Sequence, residues 1–259
     1  MKSVKGIVIG ISIVLLVNLG LKGESCQRPL PWHKQYCLEM EQTILESTVR
    51  IALHGWVEVE NGYEVERIKG TISHATVIDG RYLITHNHFG IPLSQVLLYN
   101  QYALGEFTGV SVFRLDGTSI LDRAPIESFV VVAEQGETTV LDFGADFFTQ
   151  LGVRSAKVMS ETAVALQPGM EVAQVDWDRQ GHTRVVWTEI DTVYAQNNLP
   201  IMQVQHFIEL GASGGGVFVN GIHIGNNWGR IIETNQLTGQ TSQNLSLVAL
   251  NTALLTTLQ

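Results

Sequence analysis

The stretch "LGASGGGVFVNGIHIGNNWG", Leu210 to Gly229, places one serine among Gly211, Gly214, Gly215 and Gly216 and then runs into apolar, β-branched sequence. That run, "GGVFVNGIHIG", is broken only at Asn220-Gly221, a dipeptide suited to the positive φ values of a tight hairpin turn. It therefore reads as strand, turn, strand. Outward from it the chain repeats the pattern in short runs such as "GTISHATVI", "RYLITH", "GVSVFRL", "SFVVVAE", "ETTVLDF", "EVAQVDW" and "TRVVWTEI". Further turn dipeptides punctuate them at Asn61-Gly62, Asp79-Gly80, Asp116-Gly117, Gln135-Gly136 and Gln180-Gly181. About twelve strands with no long helix between them predict an all-β barrel or sandwich.

Serine 213 also completes a formal G-x-S-x-G, Gly211 to Gly215. The strained elbow of α/β-hydrolases uses that pattern, but it requires a helix after the serine and the order Ser, acid, His. Here a hairpin follows, and His223 is the only later histidine. That reading is excluded. A serine hydroxyl becomes a nucleophile only with a base in reach, an acid to orient the base, and donors for the developing oxyanion. The glycines let the backbone aim amide N–H groups into a small concavity, which makes Gly211 and Ser213 the candidate oxyanion donors. A plain glycine-rich turn is the alternative.

The candidate base lies in "TVIDGRYLITHNHFG", Thr76 to Gly90, two β runs joined at Asp79-Gly80 and ending on His88. His86 and His88 also form an H-x-H, but without a third ligand in phase, and no metal is expected. The hairpin resembles that of trypsin-like, chymotrypsin-fold serine peptidases, above all the HtrA-like and glutamyl-endopeptidase-like branches, where "xVIxxxYxLTxxHV" ends on the catalytic histidine. His88 falls on that position. The family's second motif, "G-[DN]-S-G-G-P-V", matches Gly211 to Val217, with Ala212 in place of Asp or Asn and Gly216 in place of proline. The resemblance covers roughly residues 47 to 255. It implies two antiparallel six-stranded β-barrels, with a short C-terminal helix expected over "ALNTALLTTL".

The family's acid heads a strand written "D-[IL]-A-[LV]-L" between His and Ser. The matching strand is "ETTVLDF", so the resemblance places Glu137 there, as picornaviral relatives of the fold place a glutamate; Asp142 is the alternative, at odd offset and hence on the opposite strand face. The order His88, Glu137, Ser213 is the chymotrypsin-type order. The primary pocket is expected from Phe207 and from "GNNWG", with Asn227 where glutamyl endopeptidases carry a substrate-binding histidine; neither a glutamate nor a Lys/Arg preference is predicted. His206 reads as a structural histidine beside the pocket.

Composition bounds the remainder. At 259 residues, 45% apolar and 16% charged, the chain can bury a core, and a net charge of -9 argues against a nucleic-acid partner. Residues 1–25 place Lys2 and Lys5 before an apolar run, Gly6 to Leu21, with Gly23 and Ser25 at the -3 and -1 positions before Cys26. This is the layout of a signal peptide, or of a signal anchor attaching the chain to the membrane. Residues 26–46 read as linker and short helix, holding Cys26 and Cys37, whose pairing the spacing allows without requiring. Residues 47–259 form the peptidase-like part, with an N-barrel to about 150 and a C-barrel after it, and no PDZ domain is expected beyond. The expected function is an extracytoplasmic serine endopeptidase acting on peptide or protein substrates without cofactor. The alternatives are an inactive homologue binding peptides or envelope proteins, and a β-sandwich binding module.

Overall fold

The computed structural model describes residues 25–31, 33–59, 63–86, 105–158, 165–178, 180–234 and 241–251. It opens with helix α1, Lys34–Glu46, which starts four residues before the helix-forming stretch "LEMEQTILES", Leu38 to Ser47, and is tied to the preceding segment by a Cys26–Cys37 disulfide. Its buried side chains Cys37, Met40 and Ile44 fall at i, i+3 and i+7, one face of a helix.

Two seven-stranded sheets follow. The first contains β1 (Thr48–Val59), β2 (Tyr63–Ile78), β3 (Tyr82–His86), β4 (Gly105–Phe113), β5 (Ser119–Pro125), β6 (Val130–Gln135) and β7 (Thr138–Asp142), in the order β5-β4-β1-β2-β3-β7-β6. The second contains β8 (Lys157–Val158), β9 (Glu171–Trp177), β10 (Thr183–Gln196), β11 (Leu199–Val204), β12 (Gly216–Val219), β13 (Ile222–Thr234) and β14 (Thr241–Leu250), in the order β12-β9-β10-β11-β14-β13-β8. An additional β12–β13 pairing closes this sheet into a six-stranded barrel. The first sheet curls as a half-barrel: among the described residues β5 and β6, joined by a 3-10 turn over Ile126–Ser128, remain its edges. Helix α2, Phe147–Gln150, leads from the first sheet to the second. The architecture is the all-β double barrel expected from sequence, with one barrel closed and one open. The C-terminal helix expected over "ALNTALLTTL" falls almost wholly outside the described residues, as does the leader before Ser25. Among the described residues no helix is long and apolar enough to cross a membrane.

Val49, Ile51, Leu53, Val77, Leu83, Val110, Leu141 and Phe148 fill the first sheet, and Val172, Ile190, Met202, Val204, Val217, Ile224 and Val248 fill the second. A third cluster joins them: Met40 and Ile44 of α1, Ile84 of β3, Val140 of β7, Val175 of β9 and Phe218 of β12. All five residues of β3 are buried, because one face meets its own sheet's core and the other meets the second barrel. The strand that leads toward His88 is thus fixed on both faces.

Candidate active site

The hairpin read in Leu210 to Gly229 forms as expected: β12 pairs with β13 from Gly216↔Asn226 to Val219↔Ile222, with the turn at Asn220, φ 50°, and Gly221, φ 75°. Before it, residues 205–215 form a loop that carries Ser213. This loop is pinned from several sides. The Ala212 N–H donates to the Glu209 carbonyl (3.2 Å), the Gly215 N–H to the Ala212 carbonyl (3.0 Å), and the Gly214 N–H to the Asn227 carbonyl (2.9 Å). The Asn227 N–H returns a bond to the Gly215 carbonyl at 2.8 Å. The Gly211 N–H has no acceptor among the described residues, and its residue sits at φ +94° with the Trp177 indole nitrogen 3.0 Å from where a Cβ would stand.

Ser213 itself bridges the two barrels, since its carbonyl accepts the N–H of His74 in β2 at 3.1 Å. A Cβ on Gly214, φ +78°, would lie 2.2 Å from the His74 carbonyl oxygen and 2.5 Å from Thr85 Oγ1, with the His86 ring 3.2 Å away. Only glycine fits there. The absence of a side chain is what lets the serine loop lie flat against the end of β3. Gly216, which stands where the family has proline, is equally enclosed: a Cβ would come within 2.6 Å of the Phe218 ring and of Thr76 Oγ1.

His88 lies outside the described residues. Its neighbour His86 is buried, with Nε2 2.9 Å from Ser73 Oγ. Glu137 directly precedes β7, whose first residue, Thr138, pairs with His86 across the β3–β7 ladder. The Glu137 carbonyl accepts from Asn226 Nδ2 (3.2 Å), and Thr138 Oγ1 donates to Asn226 Oδ1 (2.7 Å), so the acid's strand is fastened to the serine's hairpin. Asp142 stands at the other end of β7, opposite Tyr82, and its carboxylate takes a two-pronged bond from Arg81 (2.7 and 2.5 Å) and a third from the Gly144 N–H. Those bonds, led by Arg81, hold its pKa below the ordinary carboxylate range. It is fully engaged four residues from His86's partner.

Of the expected pocket residues, Phe207 is partly exposed beneath the Arg230 guanidinium, 4.8 Å from its ring centroid. Asn227 is placed differently. Its side chain is fully buried and donates to the carbonyls of Val175 (2.6 Å) and Ala212 (3.2 Å) while accepting from Gln174 (2.7 Å). It sits behind the serine loop as a brace. His206 Nε2 donates at 2.8 Å to the carboxylate of Asp176, which is also fully buried and receives the Glu209 N–H at 2.9 Å. Burial alone would raise the Asp176 pKa; the hydrogen bonds from His206 and from the Glu209 and Trp177 amides outweigh it and hold the group below its ordinary value. His74, whose ring is tilted against that of Trp177 with centroids 4.3 Å apart, has its pKa pushed down to about 3 by burial and by the nearby Arg50 charge, with Asp176 opposing.

Asp176, Gln174, His74 and Asn226 were not singled out from sequence. In "EVAQVDW" the polar residues alternate with apolar ones, which reads as a solvent-facing strand edge. Gln174 and Asp176 instead point at the serine loop, and nothing in a period of two distinguishes water from a buried polar loop.

No family model matches the chain, and no curated protein sequence does. Comparison with solved structures is informative where sequence is silent. An inactive form of Rv3671c from M. tuberculosis H37Rv superposes with a TM-score of 0.51 at 13% identity, over 85% of this chain and 88% of that one. The HtrA-type protease AlgW with a tripeptide gives 0.55 at 13% identity, over 86% of this chain and 62% of AlgW. The chain has the trypsin-like fold. At that identity the likeness concerns backbone alone, and the chain spans less than two thirds of AlgW's length.

Proposed function

We propose that the protein is an exported serine endopeptidase that hydrolyses peptide bonds through an acyl-enzyme, with Ser213 as nucleophile, His88 as general base and Glu137 as the acid that orients it. The observation that carries the reading is the seat of the serine loop: Ser213 and Gly214 abut His74, Thr85 and His86 at the end of β3. His88 follows His86 by two residues in the sequence. Glu137 enters from the strand hydrogen-bonded to β3 at His86. The elements that carry Ser213 and Glu137 thus both adjoin β3, the strand that leads toward His88, which supports the triad reading. A trypsin-like backbone shared with HtrA-type proteases agrees with it.

In this reading His88 removes the Ser213 hydroxyl proton as Oγ attacks the peptide carbonyl. The oxyanion is received by the N–H groups of Gly211 and Ser213. His88 then gives the proton to the departing amine, and water, activated by the same imidazole, releases the acid and restores Ser213. Phe207 lines the primary pocket. Export is supported by Lys2, Lys5 and the apolar run Gly6 to Leu21, and by the Cys26–Cys37 disulfide, a bond that persists in oxidising compartments.

Ser213→Ala abolishes fluorophosphonate labelling and peptide hydrolysis if the reading holds. Glu137→Gln lowers kcat by roughly 10⁴-fold, the scale of loss when such an acid is neutralised, while Asp142→Asn leaves kcat unchanged. A folded wild-type chain that neither labels nor cleaves moves the assignment to a peptide-binding homologue without activity.

A further inference from the structure

We infer that Asp176, a buried carboxylate of β9, is a positioning residue that holds the oxyanion loop in its working shape. The inference rests on the peptidase reading above and deepens it. In the motif Gly211 to Val217 the residue before the serine is Ala212, so the loop carries no acid or amide of its own there. A charge is supplied instead from a neighbouring strand. Asp176 Oδ1 accepts the N–H of Glu209 at 2.9 Å, and Oδ2 lies 2.8 Å from His206 Nε2 and 3.4 Å from an Arg184 nitrogen. The side chain is fully buried, so these partners replace its water.

The bond to Glu209 is the first link of a chain. The Glu209 carbonyl receives the Ala212 N–H, and the Ala212 carbonyl receives the Gly215 N–H and the Asn227 amide. The Gly211–Ala212 and Ala212–Ser213 peptides are therefore each held at one end within a series of bonds that starts on Asp176. The stem of the loop is fixed beside it: the His206 N–H donates to Thr188 Oγ1, and Ser246 Oγ donates to the His206 carbonyl and accepts the Ile208 N–H. Trp177, the next residue of β9, packs against Gly211. A displacement of the loop at Glu209 would break the Asp176 bond and, through the bond from the Ala212 N–H to the Glu209 carbonyl, shift the turn that carries the Gly211 N–H. The carboxylate thereby favours the conformation in which that amide faces the cleft.

The test measures fluorophosphonate labelling rates of Ser213, and kcat and KM on a peptide ester, for the wild type, Asp176→Asn, His206→Ala and His206→Gln. Hydrogen exchange at the Glu209 and Ala212 amides is followed in parallel. Asp176→Asn is expected to lower the labelling rate and kcat by about 100-fold, the loss of one oxyanion donor, with little change in KM. His206→Ala is expected to fall part of the way and His206→Gln, whose amide can still donate to the carboxylate, to recover. A fold-only role would instead leave kcat of the folded fraction intact, and an Asp176→Asn protein that folds and labels at the wild-type rate overturns the inference. If the wild type itself fails to label, the peptidase reading falls, and the exchange arm decides alone. Faster exchange at Glu209 and Ala212 in Asp176→Asn, with β1 unaffected, sustains the clip; unchanged exchange refutes it.

Discussion

The carboxamide of Asn227 donates to the carbonyls of Val175 and Ala212 and accepts from Gln174, all out of contact with solvent. An aspartate has the same outline but no N–H, so Asn227→Asp would withdraw a donor from two buried carbonyls, of which that of Ala212 keeps the Gly215 N–H, and set a carboxylate against both. Each lost partner costs about 1–3 kcal/mol. Urea unfolding is expected to show a loss at the upper end of that range or beyond, and an unchanged midpoint would mean that Asn227 is not the brace described. In sequence this residue is the position before Trp228 in "GNNWG", where the glutamyl endopeptidases carry a substrate-binding histidine. Whether a side chain there turns outward or inward depends on what stands behind it, here Gln174 and Val175, some fifty residues earlier in the chain. Gly214 is the opposite case. Its glycine was legible as a requirement, and its contacts supply the reason: Gly214→Ala combines φ +78° with overlap on the His74 carbonyl. It should cost more than about 1 kcal/mol and abolish Ser213 labelling together, both read on one preparation.

At the scale of elements, strand positions were legible and strand environments were not. The hairpins at Asp79-Gly80 and Asn220-Gly221 occur where turn chemistry put them, with φ of 51° and 60° in the first. The half-barrel could not be read in advance, because closure depends on whether β5 and β6 meet, a question of register between strands and not of pattern within one. Helix α1 depends on a covalent tether as well as on Met40 and Ile44. Cross-linking so short a loop contributes about 3 kcal/mol in the chain-entropy account. Reduction, or Cys26→Ser with Cys37→Ser, is expected to lower unfolding free energy by about 2–3 kcal/mol while leaving Ser213 labelling intact, since among the described residues no backbone bond of the serine loop runs to α1. Loss of labelling with an unchanged melting curve would contradict this.

The whole molecule carries a pH dependence set by two histidines that are buried neutral. His74 and His223 are each pushed from 6.5 down to about 3 by burial, and both ring nitrogens of His223 lack a partner among the described residues. Between those values the unfolded chain binds a proton that the folded chain refuses. Stability therefore rises with pH across that window and is lost as pH falls from about 6.5 toward about 3, by up to about 1.4 kcal/mol per unit for each histidine. Asp176, with its lowered pKa, acts in the same direction at the acid end. Urea unfolding at pH 7.5, 6 and 5 should show the decline, and His223→Leu should remove about half of the slope; a flat profile above pH 5 would show that these rings remain accessible to protons. None of this is visible in sequence, where "SHATV" and "GIHIG" are ordinary strand text.

The bonds from Thr138 and Asn251 to Asn226, and from Asn226 to the Glu137 carbonyl, tie the open sheet to the closed barrel beside the serine hairpin. In mechanical terms they are a latch across a joint. Two barrels that could rock would separate Glu137 from Ser213 with each excursion, and the proposed triad would be assembled for only a fraction of the time. With the latch shut, the β7 end and the β13 strand travel as one piece, and any motion needed to admit a peptide or release its halves falls to the loops around them.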